Sequence, residues 1–333
     1  MNGMNNIYSN KRYFRYCFCC GVFLLELLSG CSQESGLQAE IAIAENVPIA
    51  VCAALSTAEI DTRASVTEEM KTGSLGIFRL AENDYTALYN VKYEKTSDTA
   101  PWSSTTTIYV GAEFASLCAY APYNSVEFAK NSTVATLEAQ EYKADKDMRY
   151  ATTGGATIWK LTPQADFTLI HSYARLTLAI TRMPTYPSTK PYLCAVTKVV
   201  VEPGTGGSKI ATQRTKDIAT NAETTVTEAD NYIFTVTTAL KTSGIVSGAT
   251  DNSGVDMLLP PQTLVGGVKL TLTVDGADYA VTVPADRLSM LTAGSHYTVK
   301  IDVKGFGLQV EDVTIDKAWT STSVGSGDYN TGF

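Results

Sequence analysis

From Asp166 to Arg182 the chain reads DFTLIHSYARLTLAITR, and apolar side chains recur at every second position through most of it. Successive side chains on an extended strand point to opposite faces, so this period marks half-buried strands. Similar runs rich in Val, Ile, Thr and Tyr fill the sequence: GSLGIFRL (Gly73 to Leu80), YTALYNVKY (Tyr85 to Tyr93), EFASLCAYAPY (Glu113 to Tyr123), YLCAVTKVVVE (Tyr192 to Glu202) and YIFTVTT (Tyr232 to Thr238). Helical periodicity is nearly absent, and Gly, Asn, Asp and Ser clusters separate the runs. The pattern predicts an all-β chain. Its clearest hairpin joins VKLTLTV to YAVTVPA through DGAD (Asp275 to Asp278), with Leu270, Leu272 and Val274 on one face and Asp-Gly supplying the turn. The runs YTVKIDV and LQVEDVTI come last before Trp319. A short surface helix is expected at TLEAQEYKADK (Thr136 to Lys146) from its composition.

Residues 1–30 read as a targeting segment, with Lys11, Arg12 and Arg15 ahead of the apolar run Tyr16 to Leu28. That run is shorter than the roughly 20 residues a spanning helix needs. It ends in LSGC (Leu28 to Cys31), which is similar to a lipoprotein signal cut before Cys31 and acylated on its sulfur; Glu26 inside the apolar run departs from that pattern. An ordinary secretory signal followed by a chance cysteine is the alternative. Losing residues 1–30, with three basic side chains and one acidic, takes the net charge from −8 to −10. An exported chain this acidic is a poor partner for nucleic acid.

The remaining 300 or so residues exceed what one core usually holds. MPTYPSTKPY (Met183 to Tyr192), with three prolines and no apolar period, divides them. The expected organisation is a signal peptide at 1–30, a propeptide with an N-terminal strand at 31–63, and two β-sandwich-like domains at 64–185 and 186–333.

No catalytic or metal-binding motif emerges, and no cofactor is expected. The only histidines, His171 and His296, lie in strand-like runs outside any H-x-x-x-H or C-x-x-C pattern. EPGTGGSKI (Glu202 to Ile210) lacks phosphate-loop spacing, and DNSGVD (Asp251 to Asp256) lacks that of a calcium loop. Cys52, Cys118 and Cys194 are too few and too scattered for a disulfide framework and read as small core residues. Two carboxylates at the right separation would suffice for a β-sandwich glycosidase, which keeps that class open. A glycan-binding surface lipoprotein is a further alternative. Tyr is abundant, and Trp102, in the turn-like TAPWSS, is the candidate sugar platform.

The N-terminal region carries the most specific signal. Between Ile41 and Leu55 the odd positions hold Ile41, Ile43, Val47, Ile49, Val51 and Leu55, whereas the even ones are small or polar. At about 3.3 Å per residue this run outlasts an ordinary strand, and Pro48 divides it or confines it to an edge. Buried in a groove, the six bulky side chains would contribute on the order of 10 kcal/mol of gross apolar burial. The polar stretch STAEIDTRAS follows, holding Arg63, the only Lys or Arg between Cys31 and Met70. Exposed polar loops are where proteolysis concentrates. A cut between Arg63 and Ala64 would detach the strand and leave a groove for a replacement strand. A tethering linker with a chance arginine is the bland alternative.

These features together resemble the fimbrillins, the type V pilins exported as lipoproteins by Gram-negative anaerobes of gut and mouth. The resemblance rests on LSGC, TRA (Thr62 to Ala64), GSLGIFRL with YNVKY, CAYAPY (Cys118 to Tyr123), FTLIHSYARLTLAI (Phe167 to Ile180), MLLPPQTL (Met257 to Leu264) and LTAGSHYTVKIDVKGFGLQVEDVTIDKAW (Leu291 to Trp319). It implies two transthyretin-like β-sandwich domains with few short helices, and no enzyme activity. It also implies lipid at Cys31 anchoring an outer-membrane precursor, an arginine-specific protease acting after Arg63, and assembly into a fimbrium by donor-strand exchange. Other fimbrial subunits would be its partners, along with a host or bacterial surface receptor. The segment TSTSVGSGDYNTGF offers only Val324, Tyr329 and Phe333 as bulky apolar residues among Gly325, Gly327 and Gly332, a poor strand to donate. A tip subunit is therefore expected ahead of a stalk subunit.

Overall fold

The computed structural model describes residues 45–57, 66–152, 158–187, 194–207, 209–241, 254–305 and 307–316. Every regular element among them is a strand. The first seven are β1 (Val47–Pro48), β2 (Ala50–Thr57), β3 (Val66–Glu69), β4 (Gly73–Arg79), β5 (Leu88–Lys95), β6 (Tyr109–Val110) and β7 (Leu117–Ala121). The middle of the chain supplies β8 (Val134–Glu138), β9 (Gln140–Glu141), β10 (Arg149–Thr152), β11 (Gln164–His171) and β12 (Ala174–Arg182). Next come β13 (Ala195–Pro203), β14 (Ile210–Asp217), β15 (Glu223–Ala229), β16 (Tyr232–Lys241) and β17 (Gly254–Leu259). The last are β18 (Gln262–Thr263), β19 (Val268–Val274), β20 (Ala277–Val283), β21 (Met290–Leu291), β22 (His296–Lys304) and β23 (Gly307–Asp316).

A seven-stranded sheet runs in the order β3-β2-β11-β10-β7-β4-β5, and one of its faces covers the first core, which includes Leu75, Ile77, Leu117, Ala119 and Phe167. A five-stranded sheet, β23-β22-β12-β17-β9, packs on a four-stranded one, β16-β13-β19-β20. Leu176, Leu178, Val299 and Ile301 from the former meet Val199, Leu270 and Leu272 from the latter in a second core. A third core joins the two regions. Phe78, Cys118 and Tyr120, on the opposite face of the seven-stranded sheet, meet Leu137, Ile218 and Leu258. The three-stranded sheet β15-β14-β8 and the pairing of β9 with β17 also link strands from both halves of the sequence.

Local chemistry explains the clearest elements. β19 and β20 form a hairpin whose two turn residues, Asp275 and Gly276, have φ of 48° and 83°, the left-handed geometry that a two-residue turn demands. Asp275 Oδ1 also accepts from the Ala195 N–H at 2.9 Å and Oδ2 from the Cys194 N–H at 2.8 Å, tying β13 to the hairpin. Gly204 admits the backbone of Gly266 so closely that a Cβ would lie 1.9 Å from its carbonyl oxygen. That contact accounts for a glycine in EPGTGGSKI through packing alone.

One expectation is corrected. Thr136 to Lys146 is not a helix: Thr136–Glu138 belong to β8, Gln140 and Glu141 form β9, and the Lys146 N–H closes a turn on Lys143 O. Ala135 and Leu137 point into the third core at period two, and pairing with β14 overrides the helical composition. The long run at Asp166 to Arg182, whose strand count the period-two pattern leaves open, divides into the two strands β11 and β12. Buried positions are odd in β11 and even in β12, and the phase changes at the buried pair Ser172 and Tyr173, where the chain leaves one sheet for the other.

Candidate functional site

β2 lies between β11, to which it runs parallel, and β3, to which it runs antiparallel. Its register sets Val51 beside Ala165, Ala53 beside Phe167 and Leu55 beside Leu169. Paired residues of a parallel ladder share a face, so the odd side chains of both strands enter the first core. Ile49, Ala53 and Leu55 are buried there, and Val51 is half-buried against it. Ala50, Cys52, Ala54 and Ser56 occupy the other face with more exposure. Burial of Ile49, Val51 and Leu55 contributes on the order of 6 kcal/mol before entropy is counted.

Backbone bonds hold the strand along its length. The Ile49 N–H donates to Ile108 O at 3.0 Å, the Ala50 N–H to Pro163 O at 2.9 Å, and Ala53 O accepts from the Met70 N–H at 2.9 Å. On its far side β11 pairs with β10 only through His171 and Ile170. Removing β2 would therefore leave Gln164 to Leu169 without a ladder partner among the described residues, an edge that favours strand addition.

Of the predicted groove residues, Val47 pairs with Val110 in the short β1–β6 ladder and is half-buried. Cys31, Ile41, Ile43, Arg63 and Ala64 lie outside the described residues. Arg63 and Ala64 belong to segment 58–65, which connects β2 to β3. Trp102 is half-buried and packs against the first core. Cys118 and Cys194 are buried and Cys52 half-buried. Burial, aided by the charge of Asp217, pushes the Cys118 thiol up to about 12, which keeps it protonated and unreactive near neutral pH.

Where β11 hands over to β12, the fold gathers a charged cluster that sequence spacing conceals. The Asp147 carboxylate is fully buried, accepting from Arg149 Nη2 at 3.0 Å and lying 2.9 Å from His171 Nδ1. Arg149 Nε approaches the same ring nitrogen at 3.3 Å. The shorter contact assigns the Nδ1 proton to Asp147, because one nitrogen cannot donate there and accept from Arg149 at once. Burial alone would raise the carboxyl pKa; His171 and Arg149 outweigh it and hold Asp147 below the usual carboxylate value.

His296 opens β22 beside Arg175 of β12. Its Nε2 lies 2.7 Å from Thr177 Oγ1, which donates to Asp256 Oδ1 at 3.0 Å, so Nε2–H is the donor in that chain. Arg175 Nε meets both oxygens of Asp256 at 2.9 and 3.0 Å, and its guanidinium carbon sits 3.8 Å from the centre of the Tyr142 ring. Both histidines thus fasten strand junctions. No group of three or more His, Cys, Asp or Glu able to hold a metal occurs among the described residues.

Comparison with known proteins adds a family to this geometry. A family model described as fimbrillin-like matches residues 62–319. A solved structure of a candidate cell adhesion protein from Bacteroides uniformis is 21% identical, with 81% of this chain and 98% of that chain covered at a TM-score of 0.55. Another, from Bacteroides ovatus, is 14% identical, with 83% and 98% covered at a TM-score of 0.58. At these identities the likeness is one of fold. No curated protein matches the chain by sequence.

Proposed function

Because the chain belongs to the fimbrillin-like family, we propose that it is a fimbrial subunit that polymerises by exchanging its first strand. It leaves the cell as a lipoprotein acylated on Cys31, bound to the outer membrane until an arginine-specific protease cuts between Arg63 and Ala64. Release of residues 31–63 empties the place of β2, and a strand from a neighbouring subunit takes it. The position of β2 supports this reading best: a strand that buries Ile49, Val51 and Leu55, is paired on both sides, and connects onward only through the segment that holds Arg63. Removing it exposes both apolar surface and an unpaired backbone edge, each of which favours a replacement. Residues 320–333 are glycine-rich and hold only Val324, Tyr329 and Phe333 as bulky apolar residues, a composition poor for a donated strand, which favours a place at the tip of the fimbrium, where the subunit accepts a strand and meets a surface receptor.

Replacing Arg63 with Ala tests this. The variant should be exported, folded and acylated, yet fail to enter fimbriae, because β2 keeps its place. Normal assembly of Arg63→Ala would eliminate cleavage as the switch. Mixing cut subunits with themselves tests the tip position; efficient self-polymers that depend on residues 320–333 would place the subunit in the stalk.

A further inference from the structure

Beside the β1–β6 ladder lies a cavity of about 530 Å³ whose lining includes Arg79, Tyr85, Tyr109 and Lys160. Arg79 ends β4 with its guanidinium over the Tyr85 ring, 4.8 Å from the ring centre. Nη1 donates to Tyr109 O at 2.5 Å and Nη2 to Thr86 O at 3.1 Å. A guanidinium carries five N–H donors, so two carbonyls leave most of its capacity unused. Its Nε is buried without a hydrogen-bond partner among the described residues. Burial lowers the Arg79 pKa and Tyr85 counteracts it. Arginine nonetheless stays charged. The molecule therefore holds a half-buried cation whose direct contacts among the described residues are carbonyl oxygens and a ring face, with no carboxylate in ion-pair contact, beside a space of ligand size.

The walls are positioned in advance. The Tyr85 hydroxyl donates to Glu113 O at 2.6 Å and accepts from the Gly111 N–H at 2.7 Å, which fixes the ring under Arg79. Tyr109 is about half exposed at the rim. Glu45, Asp84 and Glu113 also contribute to the lining, so the cavity pairs cations with hydroxyl acceptors and aromatic faces. An inorganic anion would use only the cations, and a neutral sugar would leave Arg79 unpaired. A sugar bearing a carboxylate uses all three. We infer that this cavity binds an acidic sugar residue, a uronic or sialic acid, with its carboxylate on Arg79 and Lys160 and its ring against Tyr109. Glu45, Asn46 and β1 leave with residues 31–63 if the chain is cut at Arg63, whereas Arg79, Tyr85, Tyr109 and Lys160 stay, so binding is tested on the uncut chain, where its failure is distinguishable from a failure of strand exchange.

Titration of the full chain with glucuronate, N-acetylneuraminate, glucose and acetate, followed by ligand-observed NMR, tests the inference. One of the acidic sugars should bind saturably, with glucose and acetate each at least about tenfold weaker. Arg79→Gln should weaken that binding about tenfold or more. Since Arg79 also ties two loops, Lys160→Gln provides a second reading, with weaker binding and an unchanged unfolding midpoint. Glucose binding as well as glucuronate, acidic-sugar binding that survives both substitutions, or no saturable binding by either acidic sugar would overturn it.

Discussion

β11 and β12 follow one another in sequence, and each carries a hairpin on a parallel edge: β2–β3 lies on β11, and β22–β23 lies on β12. The two arrangements are similar in topology and unequal in attachment. β22 matches β12 over eight register positions and β23 over nine, whereas β2 matches β11 over six and β3 over four. Two residues, 305 and 306, join β22 to β23; eight, 58–65 with Arg63 among them, join β2 to β3. One hairpin is extensively paired and tightly closed. The other has fewer paired positions and a connection long enough to offer a protease site, the features expected of a strand that is to be replaced.

The charged cluster between the two hairpins should produce the largest effect. Asp147→Ala leaves Arg149 and His171 buried without their carboxylate, and unfolding in urea should record a loss of about 3–5 kcal/mol. A loss below about 1 kcal/mol would mean that the cluster does not hold the end of β11, and that the seat of β2 depends on β2 itself. The same group sets an acid limit. Its pKa is lower folded than unfolded, so its contribution is complete above the ordinary carboxyl value of 3.8 and declines as pH falls through the folded value. Unfolding midpoints should drop more steeply below pH 3.8 in the native chain than in Asp147→Asn; equal slopes would contradict the assignment.

Next come matched truncations in the two hairpins. Ile301→Ala in β22 and Leu55→Ala in β2 each remove a buried aliphatic side chain and should cost about 2–4 kcal/mol in the uncut chain. After a cut at Arg63 and loss of the released segment, the Ile301 cost should persist and the Leu55 cost should vanish. Equal costs before and after would show that β2 remains seated. The smallest effect belongs to the tight turn. Gly305 has φ of 51° and open space where a Cβ would stand, with no other atom within 4 Å, so Gly305→Ala should cost only about 1 kcal/mol of backbone strain in thermal unfolding. A larger cost would mean that the β22–β23 turn packs more closely than its open surroundings indicate.

How far the sequence shows this comparison depends on whether the information is local. Alternation in Ile49, Val51 and Leu55 announces β2, and Asp275-Gly276 announces the β19–β20 turn, because side-chain period and turn geometry are properties of neighbouring residues. The partner of β2 is invisible there, since parallel pairing joins Ala50 to Gln164, more than a hundred residues away. The break between β11 and β12 is legible in principle: buried residues shift from Phe167 and Leu169 to Leu176 and Leu178, a change of phase that an unbroken reading of the run overlooks. Arg79, Tyr85, Tyr109 and Lys160 come from separate stretches, and no spacing rule unites them. His171 and His296 similarly acquire their roles only when β11, β12 and β22 meet.

Strand exchange at β2 is tested most directly by N-terminal sequencing, with intact mass, of the protein recovered from the surface of its native cell. A chain that starts at Ala64, with residues 31–63 absent and a foreign strand retained in the assembled form, is the predicted result. A chain that starts at acylated Cys31 within assembled fimbriae would contradict it, because β2 would still occupy its own seat.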